Sequence, residues 1–119
     1  MSINTDSIRE ACEIFGKKTA YFLGLTLRDA DNFMAEIGAA LVNNDAQSAG
    51  LAAHSLKSIM HQAGAMEVGD CGEALQDAGE VGNLEECIDL YTQLRPLYQE
   101  SKAFMEALIL KCEEESKSA

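Results

Sequence analysis

The feature that most constrains this chain is a long seam of apolar residues at alternating steps of four and three. Between about Thr19 and Val42 the seam consists of Leu23, Leu27, Ala30, Met34, Ile37 and Leu41. Because an α-helix completes a turn every 3.6 residues, such a seam lies on one helical face and has to be buried against other helices. No stretch shows the period of two that is typical of strands, so the sequence predicts an all-α protein.

A short helix near the N-terminus and a second bundle helix are predicted on either side of this seam. The N-terminal helix would end at Gly16 and bury a small apolar face made of Ile8, Ala11, Cys12 and Phe15. The second bundle helix is expected to begin at a cap formed by Asp45 and to run to about Ala63. Gly64 is well placed to stop it.

Two further helices are predicted in the second half of the chain. The third bundle helix should span roughly Glu67 to Ala78, although its glycines lower the local helix propensity. The fourth should begin at a capping box formed by Asn83 and Glu86, pass through Pro96 with a kink, and extend to about Lys111.

The whole chain, residues 1–119, is predicted to be a single domain: an up-and-down four-helix bundle with a short additional N-terminal helix. A chain of 119 residues can bury a core without disulfides or metals. The acidic tail, about residues 113–119, carries carboxylates at the negative end of a helix dipole and is expected to fray. Since the bundle needs no partner to complete its core, we expect a monomer.

Composition narrows the classes of partner and the compartment. Nine basic and twenty acidic residues give a net charge of −11, which disfavours attraction to nucleic acid or to anionic lipid. No apolar run approaches the roughly 18 residues needed to span a membrane. The cysteines show no C-x-x-C spacing, so we predict buried free thiols and a cytoplasmic protein. The four are Cys12, Cys71, Cys87 and Cys112.

Residues 53–65, AHSLKSIMHQAGA, carry the chemistry. Wound as a helix, this stretch places His54 opposite the centre of its apolar arc, so His54 should face water. Lys57, Ser58 and His61 follow at i+3, i+4 and i+7 and share that face. A neutral imidazole can act as a nucleophile, and a Lys one turn away can hold an anion. We expect this anion to be phosphate.

Small residues on either side of His54 favour an intermolecular reaction. Gly50 and Ser58 lie one turn before and one turn after His54, which would clear a docking surface for a partner's active site. A single metal site is disfavoured, because His54 and His61 are separated by about 10 Å along the helix axis. No strained Ser elbow or Gly-rich phosphate loop accompanies the His, which argues against hydrolytic triads and nucleotide sites.

These residues resemble the histidine-containing phosphotransfer (HPt) domains of multistep two-component signalling. The family pattern is His-x-Leu-Lys, then a small residue, then Gly-Ala or Gly-Leu six residues later. It is matched by His54, Leu56, Lys57, Ser58, Gly64 and Ala65. Leu75 and Gln76 match the Leu followed by Glu or Gln that family members often carry on the next helix. The resemblance covers most of the chain, since such domains are helical bundles of about this length.

The resemblance implies a role for each matched residue. His54 would be the phosphoacceptor, Lys57 would steady the phosphoryl group, and Gln76 would orient the imidazole or the phosphate. Leu56, Gly64 and Ala65 would be structural. Two positions depart from the family pattern. Ser58 stands where glycine is commonest, and His61 stands where a small residue is usual and could contact the docked partner or remain a solvated surface side chain.

The resemblance also implies a function. The chain would accept a phosphoryl group from a receiver-domain phospho-aspartate and pass it to another receiver domain, as a stoichiometric carrier without an ATP site or a cofactor of its own. Magnesium would be needed only in the receiver, and the partners would be response-regulator receiver domains and a hybrid sensor histidine kinase.

Two alternatives stay open at the level of sequence. The chain could be a phosphate-inert helical adaptor that binds receiver or kinase domains, although the presence of His54 and Lys57 argues mildly against this. It could also be the phosphoacceptor module of a larger histidine kinase. The N-terminal Met and the polar residues at both ends favour a free-standing protein.

Overall fold

Four α-helices make up the part of the chain that the computed structural model describes, residues 16–118, with side chains described through residue 114. They are α1 (Lys17–Val42), α2 (Ala46–Gln62), α3 (Met66–Glu80) and α4 (Leu84–Ser118). These residues contain no β-strand, and the predicted all-α four-helix bundle is confirmed. The predicted N-terminal helix with Ile8, Ala11, Cys12 and Phe15 lies outside the described residues. No helix within residues 16–118 is long and apolar enough to cross a membrane.

The helices pack in a closed cycle. Helix α1 contacts α2 and α4, α2 contacts α3, and α3 contacts α4, while the diagonal contact between α2 and α4 is slight. Short turns join successive helices, so neighbours in sequence are antiparallel neighbours in space. This is the predicted up-and-down arrangement.

The predicted seam of α1 forms one wall of the core. All six of its residues, from Leu23 to Leu41, are buried. The other helices contribute large, fully buried side chains at the periodic positions expected for a bundle. These include Leu56, Met60, Val68, Leu75, Leu94, Tyr98 and Met105.

The signals at the ends of α2 act as the sequence indicates. The Asp45 side chain accepts hydrogen bonds from the backbone N–H of Ser48 (3.0 Å) and from its hydroxyl (2.6 Å), and these bonds lower the pKa of Asp45. At the other end Gly64 has φ 87°, in the left-handed region. The N–H groups of Gly64 and Ala65 donate to the carbonyls of His61 (3.1 Å) and Met60 (2.9 Å), which is the Schellman arrangement.

Helix α4 begins as predicted but ends later. The Glu86 N–H donates to Asn83 Oδ1 (3.1 Å), and the Asn83 side-chain amide donates back to the Glu86 carboxylate (3.2 Å). The helix continues through Pro96 to Ser118, so the predicted end near Lys111 is wrong. The physical reason is that no glycine or proline follows Pro96, and good helix formers continue the turn after the buried seam ends. Fraying of the acidic tail stays a prediction.

The cysteines follow the prediction only in part. Cys87 is a buried free thiol and Cys71 is a half-buried free thiol, and burial raises the pKa of both. Cys112 is disulfide-bonded, so the prediction of a free thiol at this position is wrong. Local spacing could not reveal the bond, because a fold can bring together cysteines that are far apart in sequence. Cys12 lies outside the described residues.

A polar cluster fastens α1 to α4. Tyr98 is a buried residue, 1% exposed, and its hydroxyl donates to Asp31 Oδ1 at 2.6 Å. Lys102 Nζ donates to Asp31 Oδ2 at 2.9 Å. Partial burial raises the pKa of Asp31, but the hydrogen bonds from Tyr98 and Lys102 outweigh it and hold that pKa below its ordinary value. Burial and the same carboxylate raise the pKa of Tyr98. The ionised carboxylate therefore stabilises the folded state.

We expect Asp31→Asn to lower the free energy of unfolding by about 1 kcal/mol at neutral pH, the usual size of a lost hydrogen bond at a partly exposed site. Because the folded-state pKa of Asp31 is depressed, its contribution is present above the ordinary carboxyl pKa and is lost as pH falls through the folded-state pKa. Urea unfolding of both proteins at neutral and acidic pH should show the difference shrink in acid. Asp29→Asn, an exposed α1 carboxylate without a hydrogen bond in the described structure, is the control, and equal losses in both variants would contradict the assignment.

Candidate functional site

Three side-chain pairs join α2 to α3 along one exposed edge of the bundle. Residue numbers rise along α2 while they fall along α3, as expected for an antiparallel pair. We call this set the polar ladder: His54 with Gln76, Lys57 with Glu73, and His61 with Asp70. All the polar residues that the sequence assigns to phosphate chemistry therefore lie on this one edge.

Close approach of the two helix backbones allows the ladder to form. A Cβ atom at Gly79 would lie 2.6 Å from the Ala46 carbonyl oxygen and 2.7 Å from Gly50 Cα. A Cβ at Gly72 would lie 3.3 Å from the Ala53 carbonyl oxygen. The α3 glycines, which weaken the helix by propensity, are thus the residues that let α3 pack tightly on α2.

This packing corrects the expectation for Gly50. The sequence places Gly50 on the open docking face, whereas the structure buries it against α3, where a Cβ would lie 3.1 Å from the Gln76 carbonyl oxygen. The difference arises because Gly50 and Gly79 have no side chains, so the α3 backbone can approach the α2 backbone closely at this point. Gly50 sets the spacing between the helices, and it also lines the groove beside His54. Its part in docking a partner stays a prediction.

His54 is exposed, as its position on α2 predicts. Its Nδ1 lies 3.1 Å from Gln76 Oε1, and the Gln76 amide nitrogen donates to Glu80 Oε1 at 3.3 Å. With the amide oxygen facing the ring, Nδ1 has to carry the proton and donate it. The other ring nitrogen, Nε2, then has an unprotonated lone pair on an exposed side chain, which is the state a nucleophilic imidazole needs.

Lys57 and Ser58 lie beside His54 on α2. The Lys57 side chain is 20% exposed, and its ammonium nitrogen is 4.0 Å from Glu73 Oε1. So long a pairing at the surface is weak, and the ammonium can turn toward a stronger anion one turn away. Ser58 is exposed, and its hydroxyl donates to the His54 carbonyl oxygen at 3.3 Å, so it occupies little space above the helix.

His61 packs against α3, and its role toward a docked partner stays a prediction. Its Nε2 lies 2.9 Å from Asp70 Oδ1, and its ring packs over Gly69, where a Cβ atom would clash with it. The ring lies across α3 because Gly69 leaves room for it and Asp70 supplies a hydrogen-bond partner. In this structure Nε2 of His61 is therefore engaged, whereas Nε2 of His54 is not held by the ladder.

The remaining motif residues occupy interior or turn positions. Leu56 and Ala65 are completely buried, and Gly64 forms the turn that ends α2. These positions hold α2 against the core and fix where the chain enters α3, which sets the register of the polar ladder.

A groove of about 480 Å³ lies next to His54. Besides His54, Gly50 and Gln76, it is lined by three residues that the sequence analysis did not select: Gln47, Leu51 and Glu80. Leu51 is 72% exposed, one turn before His54, which gives the rim an apolar contact. Helical spacing could have identified Leu51 and Glu80, because they lie at i−3 from His54 and at i+4 from Gln76.

Comparisons with known proteins support the fold and identify a family. The family profile described as Hpt domain matches residues 22–104, which include His54, Lys57 and Gln76. The structure is similar to the crystal structure of histidine-containing phosphotransfer protein B (HptB) from Pseudomonas aeruginosa PAO1, with a TM-score of 0.84 and 18% identity over 92% of this chain and 96% of that chain. A comparison with curated proteins gave no match. Because the family profile covers more than half of its length, the chain belongs to the Hpt domain family.

Proposed function

We propose that this chain is a phosphorelay intermediate that receives a phosphoryl group on His54 from a receiver-domain phospho-aspartate and passes it to another receiver domain. Membership in the Hpt family supports a role in histidine phosphotransfer. The observation that carries the assignment to His54 is its 3.1 Å hydrogen bond from Nδ1 to Gln76 Oε1 on an exposed side chain, which leaves Nε2 as the nucleophile.

The transfer step is a displacement at phosphorus. The Nε2 lone pair forms the new N–P bond while the P–O bond to the aspartyl carboxylate breaks, and the carboxylate leaves with that electron pair. The ring becomes cationic and keeps its Nδ1 proton, which Gln76 Oε1 continues to accept. Lys57 would neutralise the phosphoryl oxygens during the step. The reverse displacement by a second aspartate returns the ring to its neutral state.

The same proposal covers the partners and the setting of the reaction. Response-regulator receiver domains and a hybrid sensor histidine kinase would be the partners, and Mg²⁺ would be supplied in the receiver's acidic pocket. The chain would act stoichiometrically, as a monomer, without an ATP site or cofactor. A cytoplasmic location is also part of the proposal, although the disulfide at Cys112 removes one of the arguments for it.

The direct test is to mix the protein with a phosphorylated receiver domain and to follow the label. We expect rapid transfer of a label that is labile in acid and stable in base, as a phosphoimidazole is, and its return when a second receiver is added. Receiver binding without transfer would instead identify a phosphate-inert adaptor. Labelling only by an ATP-binding kinase domain would identify the phosphoacceptor module of a larger kinase.

Replacing Lys57 with Gln is expected to slow phosphoryl acceptance about five- to tenfold. The ammonium lies one turn after His54, and an opposite charge at about 4 Å near a solvated surface stabilises the developing charge by roughly 1 kcal/mol or more. Initial transfer rates from the same receiver provide the measurement. Lys111→Gln removes an exposed ammonium from α4 and is the control; an equal slowing in both variants would show a general charge effect.

A further inference from the structure

The polar groups around His54 do not end at Gln76. Gln76 Nε2 donates to Glu80 Oε1 at 3.3 Å, and Glu80 lines the groove beside His54. We propose that Glu80 is a positioning residue that fixes which nitrogen of His54 is protonated, by orienting the Gln76 amide. This inference rests on the proposed function of His54 and adds a residue that acts through two successive hydrogen bonds.

The two ends of the Gln76 side-chain amide differ chemically, because the oxygen only accepts hydrogen bonds and the NH₂ group only donates them. The Gln76 side chain can present either its oxygen or its NH₂ group to the His54 ring, and the two orientations have almost the same shape. An ionised carboxylate only accepts hydrogen bonds, so Glu80 favours the orientation in which the NH₂ group faces it. The amide oxygen then faces His54 Nδ1, as observed at 3.1 Å.

The orientation of the amide determines whether His54 can react. With the oxygen facing the ring, Nδ1 donates its proton and Nε2 keeps a lone pair. With the amide reversed, the NH₂ group would donate to Nδ1, and the proton would move to Nε2. A protonated Nε2 has no lone pair and cannot attack phosphorus. A free histidine side chain prefers the proton on Nε2, so the reactive tautomer requires a specific stabilising contact.

Position singles out Glu80 among the carboxylates of α3. Glu80 follows Gln76 by four residues and therefore shares its helical face. Glu73 is paired with Lys57, and Asp70 is paired with His61. Asp77, the neighbour of Gln76 in sequence, is exposed and makes no hydrogen bond to the amide in the described structure.

The test compares Glu80→Gln with Asp77→Asn. Both substitutions remove one carboxylate charge from an exposed position of α3 and keep the side-chain size, but only the first alters the partner of Gln76. A glutamine at position 80 can both donate and accept, so it no longer directs the amide. Imidazole ¹⁵N–¹H correlation spectra report the tautomer of His54 directly, at a pH about two units above the ordinary imidazole pKa.

We expect His54 to carry its proton on Nδ1 in the unmodified protein and in Asp77→Asn, and to shift toward the Nε2 tautomer in Glu80→Gln. The initial rate of phosphoryl acceptance from a receiver should fall about fivefold in Glu80→Gln only, as expected for losing one exposed hydrogen bond. An unchanged tautomer in Glu80→Gln would overturn the proposal, and so would a shifted tautomer with an unchanged rate.

The tautomer measurement and the transfer-rate measurement can fail independently, so together they separate this inference from the proposed function. If the unmodified protein took no label from any receiver, the proposed function would fail, while the spectra would still decide whether Glu80 orients His54. If the protein took label normally and the tautomer did not depend on Glu80, only the role of Glu80 would be wrong.

Discussion

Replacing His54 with Gln is expected to reduce phosphoryl acceptance to background without unfolding the protein. Gln has no ring nitrogen with a lone pair, so no N–P bond of the phosphoimidazole type can form. His54 is exposed and its only described side-chain bond is to Gln76, so its removal should change the free energy of unfolding by less than about 1 kcal/mol. Transfer of acid-labile label from a phosphorylated receiver is the measurement, and circular dichroism checks the helical content.

His61→Gln is the matched control, because it removes the other histidine from the same helix. The His61 Nε2 is 2.9 Å from Asp70 Oδ1, so this nitrogen is held by the ladder rather than presented to a partner. We expect His61→Gln to reach the same final stoichiometry of label as the unmodified protein. Label that persists in His54→Gln and disappears in His61→Gln would move the acceptor to His61 and overturn the assignment.

Much of the fold could be predicted because residues close together in sequence determine it. The α1 seam specifies its buried face without reference to other helices, and Asp45 and Gly64 mark the two ends of α2 through bonds to residues within five positions. The exposure of His54 follows in the same way from its angle to the apolar arc. Such features require only the helical period and the chemistry of caps.

What could not be predicted depends on how α2 and α3 meet. The engagement of His61 by Asp70, the burial of Gly50 and the contact of Gln76 with Glu80 all follow from the separation and register of two helices. Periodicity gives the face of each helix but not its distance from the next one. The disulfide of Cys112 likewise depends on contacts that local spacing does not encode.

Gly79→Ala is expected to lower the free energy of unfolding by about 2 kcal/mol, although alanine is the better helix former by roughly 1 kcal/mol. The added Cβ would meet the Ala46 carbonyl oxygen at 2.6 Å and the Gly50 backbone at 2.7–2.9 Å. Because all of these are backbone atoms, no side chain can rotate away, and α3 has to move outward from α2. Urea unfolding at constant m-value gives the measurement.

Gly24→Ala provides a control with the opposite expected sign. Gly24 lies within α1, and a Cβ there would meet nothing within 4 Å, so the substitution should stabilise the protein by about 0.5–1 kcal/mol. Displacement of α3 in Gly79→Ala should also lengthen the 3.1 Å bond between His54 and Gln76 and so reduce the Nδ1–H tautomer that leaves Nε2 reactive. A stable Gly79→Ala with an unchanged His54 tautomer would show that the helices can separate without cost. The spacing set by the glycines would then not be what positions the nucleophile.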